Sequence, residues 1–221
     1  MITTTLVIAV DGPAASGKGT IAKALAQHYG LPCMDTGKLY RACGLAVRLA
    51  GHDPYDEAAA AQAAALMDPA LLTDPDLMSA INSDYASIVS SHAAVRAALF
   101  DVQRAFAQQA GGAVLDGRDI GTVIAPDAPA KLFVTAAPEI RAARRHAEQS
   151  ARIRESGGAA HTLADVLADI RARDARDSGR SAAPLVQAAD AALLDTSNLT
   201  IGAAVAAAVG LVEQAVQRSS R

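Results

Sequence analysis

A glycine-rich loop between an apolar run and a helical pattern constrains the fold of this chain more than any other feature. Residues 6–10 (LVIAV) are all apolar, which predicts a strand buried on both faces of a sheet. The loop GPAASGKGT at residues 12–20 follows it and opens a helical pattern over residues 18–29. Four residues separate Gly12 from Gly17, and a loop of that length can turn its backbone N–H groups onto phosphate oxygens. The sequence therefore predicts a strand–loop–helix unit that binds a nucleoside triphosphate.

The side chains of the loop have separate expected tasks. Lys18 can bridge the β- and γ-phosphates of ATP, and the hydroxyl of Thr20 can face Mg²⁺, which we expect as the cofactor. The general pattern places Ser or Thr directly after the lysine, but here Gly19 intervenes. A glycine-rich turn with a surface lysine is the alternative, and the preceding strand and the spacing argue against it. The expected ATP-binding residues are Gly12, Pro13, Ala14, Ala15, Ser16, Gly17, Lys18, Gly19 and Thr20.

Apolar runs and helical patterns alternate along the rest of the chain. Such alternation predicts an α/β fold with a parallel sheet flanked by helices on both faces. Residues 71–84 are mixed and turn-rich, so we expect them to belong to a small insert. Further strands are predicted at 32–34, 113–116, 131–135 and 191–194, and helices at 36–50, 56–67, 84–109, from Pro138 to near Gly157, from Thr162 (with a capping box to Asp165) and from Thr200 onward.

Composition excludes several classes of protein. The chain has 221 residues, 51% of them apolar, which suits one domain with a well-buried core. Its net charge of −3 argues against a nucleic-acid partner, because such proteins usually carry a basic surplus. The apolar run at 201–212 is too short to span a membrane, and the first residues lack the features of a secretory signal. We expect a cytoplasmic protein and, since no heptad pattern is present, a monomer.

Several short motifs, in order along nearly the whole chain, resemble those of bacterial cytidylate kinases. GKGT in place of GK[ST] is similar to the nucleoside monophosphate kinases in general. The more specific segments are DGP at 11–13, DTG at 35–37 with Tyr40-Arg41, DGRDIG at 116–121, and RDARDSGR at 173–180 with Pro184-Leu185. The resemblance implies a single kinase domain over residues 1–221. Its P-loop kinase core would cover about 1–50, 90–155 and 185–221, with a short monophosphate-binding insert at about 51–89 and a helical lid at about 156–184.

The resemblance also implies an activity and roles for particular residues. The activity would be ATP-dependent phosphorylation of CMP, and of dCMP, to the diphosphate. Ser87, Arg96 and Asp119 would face the cytosine, the first two placed by the segments ASIV and VRAAL. The catalytic set would be Lys18, Arg118, Arg176 and Arg180. The CMP-binding set would be Thr36, Tyr40, Arg41, Ser87, Arg96, Arg118, Asp119, Arg173, Asp177 and Arg180.

The arginines of the last third of the chain can also be interpreted without the resemblance. Arg173, Arg176 and Arg180 recur at spacings of three and four, so they share one helical face with Asp177. Fixed guanidinium groups on one face suit two polyphosphates brought together. For the other arginines of this region we expect a solvated helical face with acidic partners; these are Arg141, Arg152, Arg154 and Arg171.

A phosphate acceptor requires no general base, because its second pKa of about 6 leaves it largely a dianion at neutral pH. For three carboxylates, the sequence leaves more than one role open. Asp116 ends a predicted strand and could be a base, a partner of Mg²⁺ through water, or a turn cap. Asp35 could be only a helix N-cap. Asp119 could bind the base or only brace Arg118.

Two other functions compete with a cytidylate kinase. One is a P-loop kinase that uses a different monophosphate or a hydroxyl acceptor. Only the hydroxyl acceptor would require a carboxylate base. The other is a non-catalytic nucleotide-binding switch. A switch needs no second phosphate site, so the arginine face argues against it.

Overall fold

Five parallel strands form a sheet whose carboxyl ends lie at one edge. The computed structural model describes residues 5–156 and 162–219. The strands are β1 (Val7–Asp11), β2 (Cys33–Asp35), β3 (Ala113–Gly117), β4 (Ala130–Thr135) and β5 (Ala192–Asp195), in the spatial order β2-β3-β1-β4-β5. Asp11 lies beside Gly117, and Asp35 lies beside Asp116. This arrangement confirms the predicted parallel sheet.

Helices cover both faces of the sheet. Ile8 and Val10 of β1 pack with helices α1 (Lys18–Tyr29) and α8 (Ile201–Ser219) on one face, whereas Ala9 packs with part of α5 (Ala93–Ala107) on the other. The alternation follows from the period of two along a strand. In the ranges 5–156 and 162–219, no helix combines the length and the hydropathy needed to cross a bilayer. The helices are α1 (Lys18–Tyr29), α2 (Thr36–Leu49), α3 (Glu57–Ala65), α4 (Ala80–Val89), α5 (Ala93–Ala107), α6 (Pro138–Ser156), α7 (Leu163–Gly179) and α8 (Ile201–Ser219).

One local capping signal correctly predicted the start of a helix. The Thr162 hydroxyl accepts a hydrogen bond from the backbone N–H of Asp165, and the Asp165 carboxylate accepts one from the backbone N–H of Thr162. This is the predicted capping box at the start of α7. The predicted end of α6 near Gly157-Gly158 lies outside the described residues.

The single helix predicted over residues 84–109 is wrong, because two helices occupy this stretch. α4 ends at Val89 and α5 begins at Ala93. The Ser90 hydroxyl donates to the Ser87 carbonyl at 3.0 Å, and the Ser91 hydroxyl donates to the Ile88 carbonyl at 2.6 Å. Serine side chains that bind helical carbonyls in this way compete with the backbone and favour a break.

Within the expected insert, two short 3₁₀ turns follow α3, at Pro69–Thr73 and Pro75–Met78. The side chains of Asp68 and Asp74 cap them. α4 follows and packs along α2, so the turn-rich stretch supports a helix that faces the carboxyl edge of the sheet.

Candidate active site

A cavity of about 700 Å³ opens at the carboxyl edge of the sheet. Its lining includes residues of the phosphate loop and α1, of α4 and α7, and of the segment after β3. Open α/β sheets bind ligands at this edge. Gly12, Pro13 and Ser16 of the expected ATP-binding loop do not line the cavity. The predicted residues that do line it are Ala14, Ala15, Gly17, Lys18, Gly19, Thr20, Thr36, Tyr40, Arg41, Ser87, Arg96, Arg118, Asp119, Arg173, Arg176, Asp177 and Arg180.

Glycines give the phosphate loop its path. Gly12 has φ +148°, and a Cβ there would lie 2.0 Å from the carbonyl oxygen of Val134. Only glycine therefore fits where the loop leaves β1 and passes over β4. A Cβ on Gly19 would lie 3.1 Å from Oδ2 of Asp116. A larger residue at this position would therefore require the Asp116 side chain to shift by a few tenths of an ångström.

Contacts from outside the cavity hold the backbone of the loop. Arg141 donates to the Ala14 carbonyl at 3.3 Å. The hydroxyl of Thr196 donates to the Ser16 carbonyl at 2.8 Å. Arg144 donates to that hydroxyl at 3.0 Å and to the Thr196 carbonyl at 2.7 Å. Residues after β5 and on α6 therefore fix the loop from behind.

Lys18 and Asp116 form an ion pair at the base of the cavity, with 3.5 Å between Nζ and Oδ1. Burial lowers the pKa of Lys18, as does Arg118, whereas Asp116 opposes the shift. Burial likewise raises the pKa of Asp116, and Lys18 opposes that shift. Asp116 is therefore the charge partner of the loop lysine.

Thr20, Asp35 and Asp116 supply oxygen donors to the same cavity. Oδ1 of Asp116 is buried and accepts no hydrogen bond from the described residues. Hydroxyl and carboxylate oxygens are the ligands that Mg²⁺ prefers. Asp35 occupies the N-cap position of α2, but its side chain caps no N–H of that helix. These residues fit a Mg²⁺ ion.

A cluster of guanidinium groups, those of Arg118, Arg173 and Arg180, lines the same cavity as the phosphate loop. Arg118 pairs with Asp177, with 2.9 Å between Nε and Oδ2. Burial opposes ionisation of Asp177, but Arg118, Arg173 and Arg180 hold its pKa below the usual range. Nε of Arg173, and Nε and Nη2 of Arg180, are buried without a hydrogen-bond partner among the described residues. Buried donors of this kind require acceptors, so the cluster suits a bound anion.

A buried ion pair lies beside this cluster. Arg96 and Asp119 are 8% and 3% exposed, and a guanidinium nitrogen of Arg96 contacts Oδ2 of Asp119. Arg96 also donates to the Ser90 carbonyl at 3.2 Å and lies 5.3 Å from the ring centroid of Tyr40. Among the described ion pairs, Asp119 therefore braces Arg96, whereas the partner of Arg118 is Asp177.

The predicted residue Thr36 donates its hydroxyl to the Asp116 carbonyl at 2.8 Å, whereas two other predicted residues join α4 to its neighbours. Arg41 donates to the Ser83 hydroxyl at 2.8 Å. Arg176 donates to the Ser87 hydroxyl at 3.2 Å, so α7 contacts α4 directly.

Similarity to known proteins identifies the family of this chain. The sequence profile of the family described as cytidylate kinase matches residues 8–214. The chain belongs to the cytidylate kinase family. A cytidylate kinase of Xanthobacter autotrophicus is 59% identical over 208 residues, which cover 94% of this chain and 97% of that one. Those of Rhodopseudomonas palustris and Caulobacter sp. are 54% and 53% identical, covering 94% and 96% of this chain and 96% of each relative. The chain is thus an enzyme of the kinase class.

The prediction that Arg141, Arg152, Arg154 and Arg171 lie on a solvated helical face is wrong for Arg141. Arg141 is 3% exposed, because Asp174 on α7 binds both ends of its guanidinium group. Arg171 is exposed and pairs with Glu139 at 2.8 Å, as expected. The side chains of residues 152 and 154 lie outside the described ones. Arg180 lies just past the end of α7 rather than within the helix.

Sequence reasoning missed three contributors to the site. Thr196 and Arg144 hold the phosphate loop, and Ser83 holds Arg41. Thr196 directly follows β5, and residues at the carboxyl ends of parallel strands meet at one edge. That position was the available signal for Thr196. The contacts of Arg144 and Ser83 depend on which helices pack together.

Asp11, at the end of β1, anchors the segment that carries Arg118 and Asp119. Its carboxylate accepts hydrogen bonds from the backbone N–H groups of Ile120 at 2.8 Å and Gly121 at 2.7 Å. Burial raises the pKa of Asp11 to about 6, although these hydrogen bonds oppose the shift. The first residue of the DGP motif thus connects the phosphate loop to the DGRDIG motif.

Proposed function

We propose that this kinase transfers the γ-phosphoryl group of ATP to CMP, and also to dCMP, forming the nucleoside diphosphate and ADP. One observation carries the proposal: the phosphate loop and the cluster of Arg118, Arg173 and Arg180 line the same cavity. A nucleotide switch needs only the first of these surfaces. An enzyme that joins two phosphates needs both.

The buried pair of Arg96 and Asp119 supports cytosine as the base. The exocyclic amine of cytosine donates a hydrogen bond, and the neighbouring ring nitrogen accepts one. A carboxylate and a guanidinium group match that pattern. The ribose plays no part in this match, so it supports dCMP as well as CMP. Uracil presents a carbonyl in place of the amine, which an ionised carboxylate would repel.

The proposed mechanism relies on alignment and charge neutralisation and has no general base. Lys18 would bind the phosphoryl group in transfer, and Arg118 and Arg180 would hold the acceptor phosphate in line with it. Asp116, a possible base for a hydroxyl acceptor, is instead the charge partner of Lys18. Mg²⁺ bound by Thr20 and the nearby carboxylates would neutralise charge on the phosphates of ATP.

We also propose that the insert, about residues 51–89, and the lid, about residues 156–184, close on each other over the acceptor. One contact between the two segments supports this closure: Arg176 of α7 donates to Ser87 of α4. Arg180 lies 3.5 Å from the carbonyl of Ser90, just after α4. Closure of this kind excludes water and limits wasteful hydrolysis of ATP.

The test follows the label from [γ-³²P]ATP in the presence of CMP. The wild-type enzyme should place it in the β-phosphate of CDP. Lys18→Ala should lower the rate by about a hundredfold or more, since a charge contact to a transferring phosphoryl group is worth roughly 3 kcal/mol. Lys38→Ala, an exposed lysine outside the cavity, is the matched control and should keep the wild-type rate. Release of the label as inorganic phosphate only, or normal turnover by Lys18→Ala, would refute the proposal.

A further inference from the structure

One buried guanidinium group joins the phosphate loop to α7. Arg141 lies in the first turn of α6, and its Nε donates to the Ala136 carbonyl at 2.8 Å. Nη1 donates to the Ala14 carbonyl at 3.3 Å and to Oδ1 of Asp174 at 3.0 Å, and Nη2 donates to Oδ2 of Asp174 at 2.7 Å. Arg141 and Asp174 do not line the cavity, so their contacts are within the protein.

The contact with Ala14 orients a donor of the phosphate loop. In a trans peptide the carbonyl and the following N–H point in opposite directions. Arg141 holds the Ala14 carbonyl on the side away from the cavity, so the N–H of Ala15 points the other way. Ala15 lines the cavity and has a left-handed φ of +58°, a conformation that surrounding contacts must maintain.

The contact with Asp174 positions the acceptor side. Asp174 is adjacent to Arg173 and lies about one helical turn from Asp177, and all three belong to α7. Because a helix moves as a rigid element, the position of Asp174 sets that of Arg173, and that of Asp177 with its partner Arg118, relative to the loop. The guanidinium group of Arg141 therefore binds the backbone of the loop and α7 at the same time.

A second ion pair joins the same two helices without touching the loop. Glu139 of α6 and Arg171 of α7 are 2.8 Å apart, and both side chains are about 60% exposed. This pair provides a matched control, because its loss removes an α6–α7 contact and leaves the Ala14 carbonyl bound.

We propose that Asp174, acting through Arg141, is a positioning residue that couples ATP binding at the phosphate loop to CMP binding at α7. The inference rests on the proposed function, since it concerns the two substrates named there. Phosphates bound by the loop would hold Ala15 and, through Arg141, place α7 for the acceptor. Coupling between two sites is reciprocal, so CMP would tighten ATP binding by the same factor.

Isothermal titration calorimetry measures this coupling as the ratio of the Kd for CMP without and with saturating β,γ-imido-ATP and Mg²⁺. The wild-type ratio should be about fivefold or more. Asp174→Asn should reduce it to less than about twofold while changing the Kd for CMP alone by less than about threefold. Asp174→Glu should restore part of the ratio, and Glu139→Gln should keep the wild-type value. Arg141→Lys cannot bridge both acceptors and should lose the coupling, which provides a second variant if Asp174→Asn does not fold.

Three results would overturn the inference: a wild-type ratio near one, a wild-type ratio in both Asp174→Asn and Arg141→Lys, or an equal loss in Glu139→Gln. Failure of the wild-type enzyme to bind CMP at all would instead refute the proposed function, and the inference with it.

Discussion

Replacing Asp119 by Asn changes one group in the site without changing its size. The carboxylate is 3% exposed, and Arg96 contacts its Oδ2 atom. In the proposed complex the other oxygen accepts a hydrogen bond from the cytosine amine. An amide that keeps its oxygen on Arg96 presents an NH₂ group there, so a donor faces a donor.

The expected magnitude follows from that mismatch. A mispaired buried polar contact costs about 1–3 kcal/mol, which is roughly 5- to 150-fold in kcat/KM. Uracil presents an acceptor at the same place and should gain from the amide. A coupled ADP-release assay with CMP and with UMP should therefore show the CMP-to-UMP ratio of kcat/KM narrowed by about tenfold or more.

The CMP-to-UMP ratio of kcat/KM distinguishes recognition of the base by Asp119 from a role in which Asp119 only holds Arg96 in place. Removing the charge of Asp119 also leaves Arg96 uncompensated, a loss that both substrates share. Asp177→Asn is the control, because it removes the partner of Arg118 and should lower both rates by the same factor. If Asp119→Asn behaves like Asp177→Asn and leaves the ratio unchanged, Asp119 does not read the base.

Three further predictions concern the lid, the phosphate loop and pH. Arg180→Ala should lower kcat by a larger factor than it raises the KM for CMP, since its contact forms chiefly in the closed state; a rise in KM at constant kcat would contradict this. Gly12→Ala should lower the free energy of unfolding by about 3 kcal/mol or more because its Cβ would lie 2.0 Å from the Val134 carbonyl. Gly30→Ala, at φ +64° and with open space around the added Cβ, should lower the free energy of unfolding by only about 1 kcal/mol. Equal losses of stability in Gly12→Ala and Gly30→Ala, measured by urea titration, would refute the steric argument. Burial raises the pKa of Asp11 from its usual 3.8 to about 6, so the unfolded chain ionises first and the group's stabilising contribution is lost as the pH rises through that window. The free energy of unfolding of the wild type minus that of Asp11→Asn should therefore fall by about 3 kcal/mol between about pH 3 and about pH 7, and a constant or rising difference would contradict the shift.

Local patterns predicted much of the fold and of the phosphate loop. The apolar run before Gly12 and the capping box at Thr162 each encode a structure within a few residues, and both formed as predicted. The alternation of strands and helices was sufficient to predict the parallel sheet, because few topologies satisfy the rules for short right-handed connections between parallel strands.

Features set by packing between helices could not be predicted in the same way. The spacing of Arg141 shows which side of α6 it occupies, but not that α7 covers that side with Asp174. Similarly, the DGRD motif contains Arg118 next to Asp119, and only the fold shows that their partners are Asp177 and Arg96. The break between α4 and α5 was missed because each serine hydroxyl is only a weak helix breaker on its own.

The most direct test of the central claim is ADP release with a panel of acceptors: CMP, dCMP, UMP, AMP and GMP. In the proposed mechanism, the phosphate loop and the arginine cluster in one cavity bind the two phosphates, and the Arg96–Asp119 pair binds the base. This predicts that kcat/KM is highest for the two cytosine nucleotides, by about tenfold or more over UMP and the purines. ADP release that is independent of any monophosphate, or a higher kcat/KM for UMP, AMP or GMP than for CMP, would contradict it.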